Sequence, residues 1–211
     1  MASFVSNFEF RASDFYFMRK ITFDIETKNI FSDVGKNDPS ALDISVICVH
    51  DSATDKYSSF FEADLKNLWP IIEKADMLIG FNSEHFDIPL LNKYYPGDLS
   101  RIKSLDLMKE MKGISGRRIR LDNIAEATLG YGKCGNGMEA VTWWKKGDLV
   151  NLVKYCIEDV RLTKELYEYA LKNGKLKYKD AKTGGKIIEI PLDTSNWEKK
   201  EEGAMTHTLP F

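Results

Sequence analysis

Asp24 and Glu26 stand two residues apart in and beside an apolar run, Ile21 to Ile25. If that run is a buried strand, positions i and i+2 share a face. Both carboxylates then point one way, while Phe23 and Ile25 point the other. Adjacent acids repel unless a positive charge sits between them, and a divalent cation is the simplest such charge. The alternative is an edge strand carrying two solvated acids. Asp87 follows Leu78-Ile79-Gly80-Phe81-Asn82, which reads as a short strand (Met77 to Ile79), a turn and a helix start. Pro89 is in a place that a first helical turn tolerates. There Asp87 either joins a site or merely favours the helix macrodipole. Tyr155 and Asp159 are i and i+4 within a helical pattern from about Asp148 to Lys172, so they share a face. Beside them Leu149, Leu152, Val153, Cys156, Val160 and Leu166 mark a buried stripe, where an unpaired carboxylate is costly. Oxygen ligands without a thiolate or clustered imidazoles favour Mg²⁺ or Mn²⁺ over zinc.

In this order, Asp24-Ile25-Glu26, Asn82-x-x-x-Phe86-Asp87 and Tyr155-x-x-x-Asp159 resemble the motifs of the DEDD superfamily of 3′→5′ exonucleases. Tyr155 places the likeness with the DEDDy branch, that of the proofreading domains of B-family DNA polymerases. The pattern is also similar to small bacterial ribonuclease-H-like domains that stand alone or are fused to helicases. Those carry stretches like Leu121-Asp122-Asn123-Ile124-Ala125, Ala140-Val141-Thr142-Trp143-Trp144 and Tyr155-Cys156-Ile157-Glu158-Asp159. The likeness covers roughly Lys20 to Lys172.

The resemblance implies that Asp24, Glu26, Asp87 and Asp159 hold two divalent ions, Mg²⁺ or Mn²⁺, for hydrolysis at single-stranded DNA or RNA 3′ ends. It assigns Tyr155 to orienting the attacking water, since a phenol of ordinary pKa near 10 is a poor base at neutral pH. Thr27 is implied at the terminal 3′-OH. Asn82 and Phe86 belong to the second motif as scaffold around Asp87, with Asn82 also a candidate substrate contact. None of His50, His85 and His207 falls where a DEDDh enzyme has its histidine. Recruitment by a separate helicase or polymerase partner stays open. Two other readings stay open: a structure-specific endonuclease of the same fold, and an inactive nucleic-acid-binding module.

Several elements must position these groups. Leu42 to His50 and Lys56 to Phe61 read as strands joined by hairpin chemistry at Asp51-Ser-Ala-Thr-Asp. Lys28 to Ser40 reads as a loop. Asp64 caps a helix reaching Ala75, with Leu65, Leu68, Trp69 and Ile72 buried. Ile102 to Leu105 is a strand leading to Asp106, a helix cap, and Leu121 to Leu129 is a helix closed by Gly130. Three antiparallel strands followed by alternating helix and strand make a mixed α/β domain. By resemblance it is a ribonuclease-H-like sheet flanked by helices, with the first strand central.

The basic segment Lys109 to Arg120 is read as a loop offering Arg117 and Arg118 to a phosphate backbone, or as plain solvated surface. Of the adjacent Trp143 and Trp144, one belongs to the core and the other is a candidate base-stacking platform, taken as Trp144. Tyr131 to Gly137 is glycine-rich but lacks the Gly-Lys-Ser/Thr of a phosphate-binding P-loop.

The expected organisation is an N-terminal extension (1–19), the exonuclease-like domain (20–174), a C-terminal β-hairpin (175–192) and a loose tail (193–211). Translation could naturally begin at Met18, a point that intact mass would decide. The chain has 211 residues, 43% hydrophobic and 29% charged, which fits one soluble globular domain. Its formal net charge of −2 leaves any grip on nucleic acid to local patches. Cys48, Cys134 and Cys156 are too scattered for a zinc site or disulfide framework and fit a reducing cytoplasm. No run approaches the about 18 apolar residues of a membrane span, and residues 1–19 do not read as a signal peptide.

Overall fold

The computed structural model describes residues 18–132 and 137–199. Its frame is a five-stranded sheet in the order β3-β2-β1-β4-β5. The strands are β1 (Lys20–Thr27), β2 (Ile44–Asp51), β3 (Lys56–Phe61), β4 (Met77–Gly80) and β5 (Lys103–Asp106). β1 is central, antiparallel to β2 and parallel to β4. β2 pairs antiparallel with β3, and β4 pairs parallel with β5. The first three strands therefore form an antiparallel meander, and the two that follow run parallel to β1.

Helices cover both faces, so the inner strands are buried on both sides. On one face Ile21, Phe23 and Ile25 pack with Leu65, Leu68, Ile72, Leu90 and Leu91. These come from a 3₁₀ turn (Glu62–Asn67), α2 (Trp69–Ile72), Leu68 at the junction between the two, and α3 (Asp87–Asn92). On the other face lies α7 (Leu149–Asn173), which starts on the Asp148 cap and ends at Gly174 in the left-handed region. Leu152, Tyr155, Cys156 and Val160 of α7 meet Val46 and Cys48 of β2, with Ala140 of α6 (Gly137–Lys146). The Cys156 thiol donates to the Asp24 carbonyl at 3.3 Å, fastening α7 to the strand that carries the two acids.

Local chemistry departs from the sequence reading in several places. The stretch expected as loop before Ser40 includes α1 (Phe31–Val34) and a 3₁₀ turn at Pro39–Ala41, capped by Asp38 on the Ser40 N–H. The helix expected from Asp64 to Ala75 is broken in two, and Asp64 sits inside the first turn rather than capping it. Pro70 is the cause: without an N–H it suits only the first turn of a helix, so the chain restarts there. Trp69 is half-buried, its ring 5.2 Å from that of Tyr95. Leu149, expected in the buried stripe, is exposed on the first turn of α7.

Asp106 does cap α4 (Leu107–Ser115), accepting from Met108 N and Lys109 N. Lys109 and Lys112 are therefore helical, not part of a flexible basic loop. α5 (Leu121–Leu129) closes on Gly130 as expected.

The C-terminal hairpin, β6 (Lys175–Asp180) and β7 (Lys186–Pro191), is continuous with the domain core. Asn123 of α5 exchanges hydrogen bonds with the Lys179 backbone (2.7 and 3.0 Å), and Thr128 does the same with Lys177 (2.9 and 3.1 Å). Two helix side chains thus satisfy the outer edge of β6.

Nor are residues 193–199 a loose tail. Trp197 is 5% exposed and stacks on Tyr167, with ring centroids 5.9 Å apart. Burial of the indole and its stacking on Tyr167 offset part of the chain entropy that this short segment loses. At the other end Arg19 forms a two-point ion pair with Asp51 (2.6 and 3.0 Å), so residues 18 and 19 belong to the domain. Residues 1–17 of the N-terminal extension, residues 200–211 of the tail and the middle of the glycine-rich segment, with Cys134, lie outside the described residues.

Candidate active site

β1 delivers Asp24 and Glu26 to the face covered by α7, because its Phe23 and Ile25 are taken by the core opposite. At its end the pairing slips: Glu26 faces Val46, and Thr27 faces Ile44. Such a slip bends a strand away from its sheet, and it lies beside the second acid. α7 brings Asp159 from above. One carboxylate oxygen from each of Asp24, Glu26 and Asp159 lies within 4.8 Å of the others. Three carboxylates this close, on a strand and a helix locked by the core, form an oxygen-only donor set suited to a hard divalent ion.

Asp87 reaches the same cleft by another route. β4 pairs with β1 only as far as Thr22, and beyond Gly80 its chain turns away. The Ile25 N–H is met instead by Asp87 Oδ1 at 3.1 Å. Burial first, and the charge of Asp24 second, push the Asp87 carboxyl well above the usual carboxylate range; the Ile25 N–H pulls the other way. A cation in the cleft would oppose both leading effects.

Two residues fix the turn between β4 and α3. A Cβ on Gly80 would lie 2.4 Å from Ser83 Cβ and Oγ, so only glycine fits there. Asn82 takes a left-handed conformation (φ 66°), which asparagine tolerates better than most residues. Its N–H donates to Asp106 Oδ1 at 2.8 Å, and Glu84 N donates to Asp106 Oδ2 at 3.2 Å. Asp106 thereby ties the second motif to the start of α4.

The cleft has two lobes. The larger, about 1100 Å³, is lined by Asp24, Glu26, Asp87, Tyr155 and Asp159, with Thr27 and Asn82 on its walls. The smaller, about 360 Å³, shares Asp24, Asn82, Tyr155 and Asp159 and adds Arg118. Tyr155 is buried, its ring 5.7 Å from that of Trp143. The Thr27 hydroxyl donates to the Asn29 carbonyl at 2.8 Å, and Asn29 is held by reciprocal hydrogen bonds with Asp43 (2.9 and 3.0 Å).

The remaining candidates divide. Arg118 faces the smaller lobe and donates to Asn82 Oδ1. Arg117 turns away, pairing with Asp180 at 2.8 Å and lying over the Tyr178 ring. Trp144 is half-buried outside the lining of either lobe, with the Lys28 ammonium 5.1 Å from its ring centroid. Arg120, Met138 and Glu139 also line the cleft, and the sequence motifs do not include them. Arg120 belongs to the basic segment, a signal that could have found it. Met138 and Glu139 carry no motif.

No curated protein matches the chain. Among solved structures, it superposes on the family B DNA polymerase of the hyperthermophilic archaeon Pyrobaculum calidifontis with a TM-score of 0.56 and 22% identity, over 73% of this chain and 24% of the polymerase. RNase D of Trypanosoma brucei gives a TM-score of 0.55 at 17% identity, over 74% of this chain and 58% of the enzyme. The chain thus spans less than two thirds of either neighbour, and identities this low speak for the fold alone. The RNase_H superfamily model matches residues 21–171, from β1 nearly to the end of α7, and the chain belongs to that superfamily.

Proposed function

We propose that this chain is a metal-dependent 3′→5′ exonuclease that hydrolyses phosphodiester bonds at single-stranded 3′ ends and releases nucleoside 5′-monophosphates. The observation that carries this reading is the convergence of Asp24, Glu26 and Asp159 within 4.8 Å, in a cleft also lined by Asp87 and Tyr155. Those four acids would hold two divalent ions, Mg²⁺ or Mn²⁺, which when bound supply charge neutralisation, a nucleophile at neutral pH and a stabilised leaving group.

The chain's own groups do the rest. Tyr155, one helical turn before Asp159, orients the water that attacks the scissile phosphorus. The bond from phosphorus to the 3′-oxygen of the penultimate nucleotide breaks, and the terminal nucleotide leaves with its 5′-phosphate. Thr27 donates its hydroxyl proton to Asn29 and keeps oxygen lone pairs, so it can accept from a terminal 3′-OH. That contact favours an end over an internal position.

The test is a time course on 5′-labelled single-stranded DNA and RNA in Mn²⁺ or Mg²⁺, against EDTA, Asp24→Ala and Tyr155→Phe. A ladder shortening from the 3′ end is expected with metal. It should vanish in Asp24→Ala and slow about 100-fold in Tyr155→Phe, a magnitude ordinary for a positioned acid–base or water-orienting group. Binding of either strand without turnover would instead favour a binding module.

A further inference from the structure

The smaller lobe has a composition unlike the rest of the cleft. Among the described residues lining either lobe, Arg118 and Arg120 are the two that carry a fixed positive charge; the remaining ionised groups there are acids. Its lining also includes apolar Phe81, Met108, Ile119 and Leu121. Its volume, about 360 Å³, falls in the range of small-ligand sites, about 300–1,000 Å³. It opens directly onto Asp24, Tyr155 and Asp159.

Resting on the exonuclease reading, we propose that this lobe is the subsite for the second nucleotide from the 3′ end, with Arg118 and Arg120 binding the phosphodiester on that nucleotide's 5′ side. The assignment follows from where negative charge must lie. A terminal 3′ nucleotide brings only the scissile phosphate, which belongs to the acidic cluster. Every further phosphate lies on the 5′ side, and it needs cations that the larger lobe lacks apart from Arg120 at the junction. The strand therefore enters over the smaller lobe and ends in the larger one.

Both guanidiniums can change partner at little cost. Arg118 donates to the neutral Asn82 amide oxygen, and exchanging that for a phosphate oxygen gains a charge-assisted bond. Arg120 pairs with Asp122 (2.9 and 3.2 Å) on the surface, its side chain 72% exposed, and such pairs are weak. Arg117, adjacent in sequence, is excluded because its Asp180 pair and the Tyr178 ring aim it elsewhere.

The test measures binding apart from cleavage. Fluorescence anisotropy in EDTA would compare a labelled single strand with the same strand carrying one uncharged methylphosphonate at the second linkage from the 3′ end. Wild-type protein should bind the modified strand about tenfold more weakly, as expected when a charged hydrogen bond is removed. The Arg118→Ala/Arg120→Ala variant should distinguish the two strands less than twofold, because the partners of that phosphate are gone. Its salt dependence should also be shallower by about 0.7 for each phosphate left without a cation, a change that a merely structural role would not produce. A methylphosphonate six linkages upstream should weaken wild type and variant alike. Equal sensitivity of both proteins to the second linkage, or no binding of the unmodified strand, would overturn the proposal. Cleavage of the unmodified strand in Mn²⁺ is scored separately: the expected binding pattern without turnover would leave the subsite standing and sink the exonuclease reading.

Discussion

Replacing Asp24 by asparagine should make the metal-free protein more stable while removing its response to metal. The carboxylate oxygens of Asp24, Glu26 and Asp159 lie within 4.8 Å of one another. At that separation two unit charges repel by roughly 3.5 kcal/mol at an effective dielectric of about 20, and by roughly 0.9 kcal/mol in bulk water. The cleft is partly solvated, so relief of about 2 kcal/mol is a fair central value. For a domain of this size that corresponds to a midpoint shift of about 4–8 °C. Asparagine keeps the shape of the side chain, and the Asp24 carbonyl keeps the Cys156 thiol as its donor. Differential scanning fluorimetry in EDTA should show Asp24→Asn melting above wild type. Titrating Mn²⁺ should then raise the wild-type midpoint, since a ligand bound only by the native state stabilises it, and leave the variant nearly unmoved. An Asp24→Asn midpoint below wild type in EDTA would refute the reasoning, because Asp24 would then be a structural group and not a strained ligand.

Three further outcomes are expected from the scaffold. Gly80→Ala places a Cβ at 2.4 Å from Ser83; the overpacking should cost about 1–3 kcal/mol, read as a lower urea midpoint, and an unchanged midpoint would mean the turn yields freely. Asp51 is held below the usual carboxylate range by its hydrogen bonds to Arg19, so it contributes stability above its unfolded pKa of about 3.9 and loses it as pH falls through the lower folded value. Urea midpoints from pH 6 down to pH 2 should therefore fall less steeply for Asp51→Asn than for wild type, and parallel curves would count against this pair as an acid-sensitive contact. Trp197→Ala should destabilise by about 3–5 kcal/mol, as removal of a buried indole does; a loss below about 1 kcal/mol would return residues 193–199 to the status of a tail.

What could be read from the chain in advance was whatever depends on short-range periodicity. The alternation around Asp24 and Glu26 places both acids on one face because a strand repeats every two residues, and the core takes Phe23 and Ile25 on the other. The i, i+4 spacing of Tyr155 and Asp159 works equally well because α7 is long and capped at both ends. Contacts joining distant segments left no such trace. Nothing near Arg117 reveals that Asp180 will claim it, and nothing around Trp197 reveals that Tyr167 supplies a stacking face. Asp106 was legible as a helix cap, but not as the anchor of the Asn82 and Glu84 amides, since those bonds depend on how β4 and β5 lie side by side. The break at Pro70 was a local signal that the apolar spacing of Leu65, Leu68 and Ile72 masked.

Under the proposed function, the acidic cluster cuts nucleic acid only from a free 3′ end. The most direct measurement places a circular single strand and a linear one of the same sequence, blocked at its 5′ end, together in a single Mn²⁺ reaction. Loss of the linear strand to 5′-mononucleotides with the circle intact is the expected result. Nicking of the circle at a comparable rate would contradict it and assign the cleft to an endonuclease.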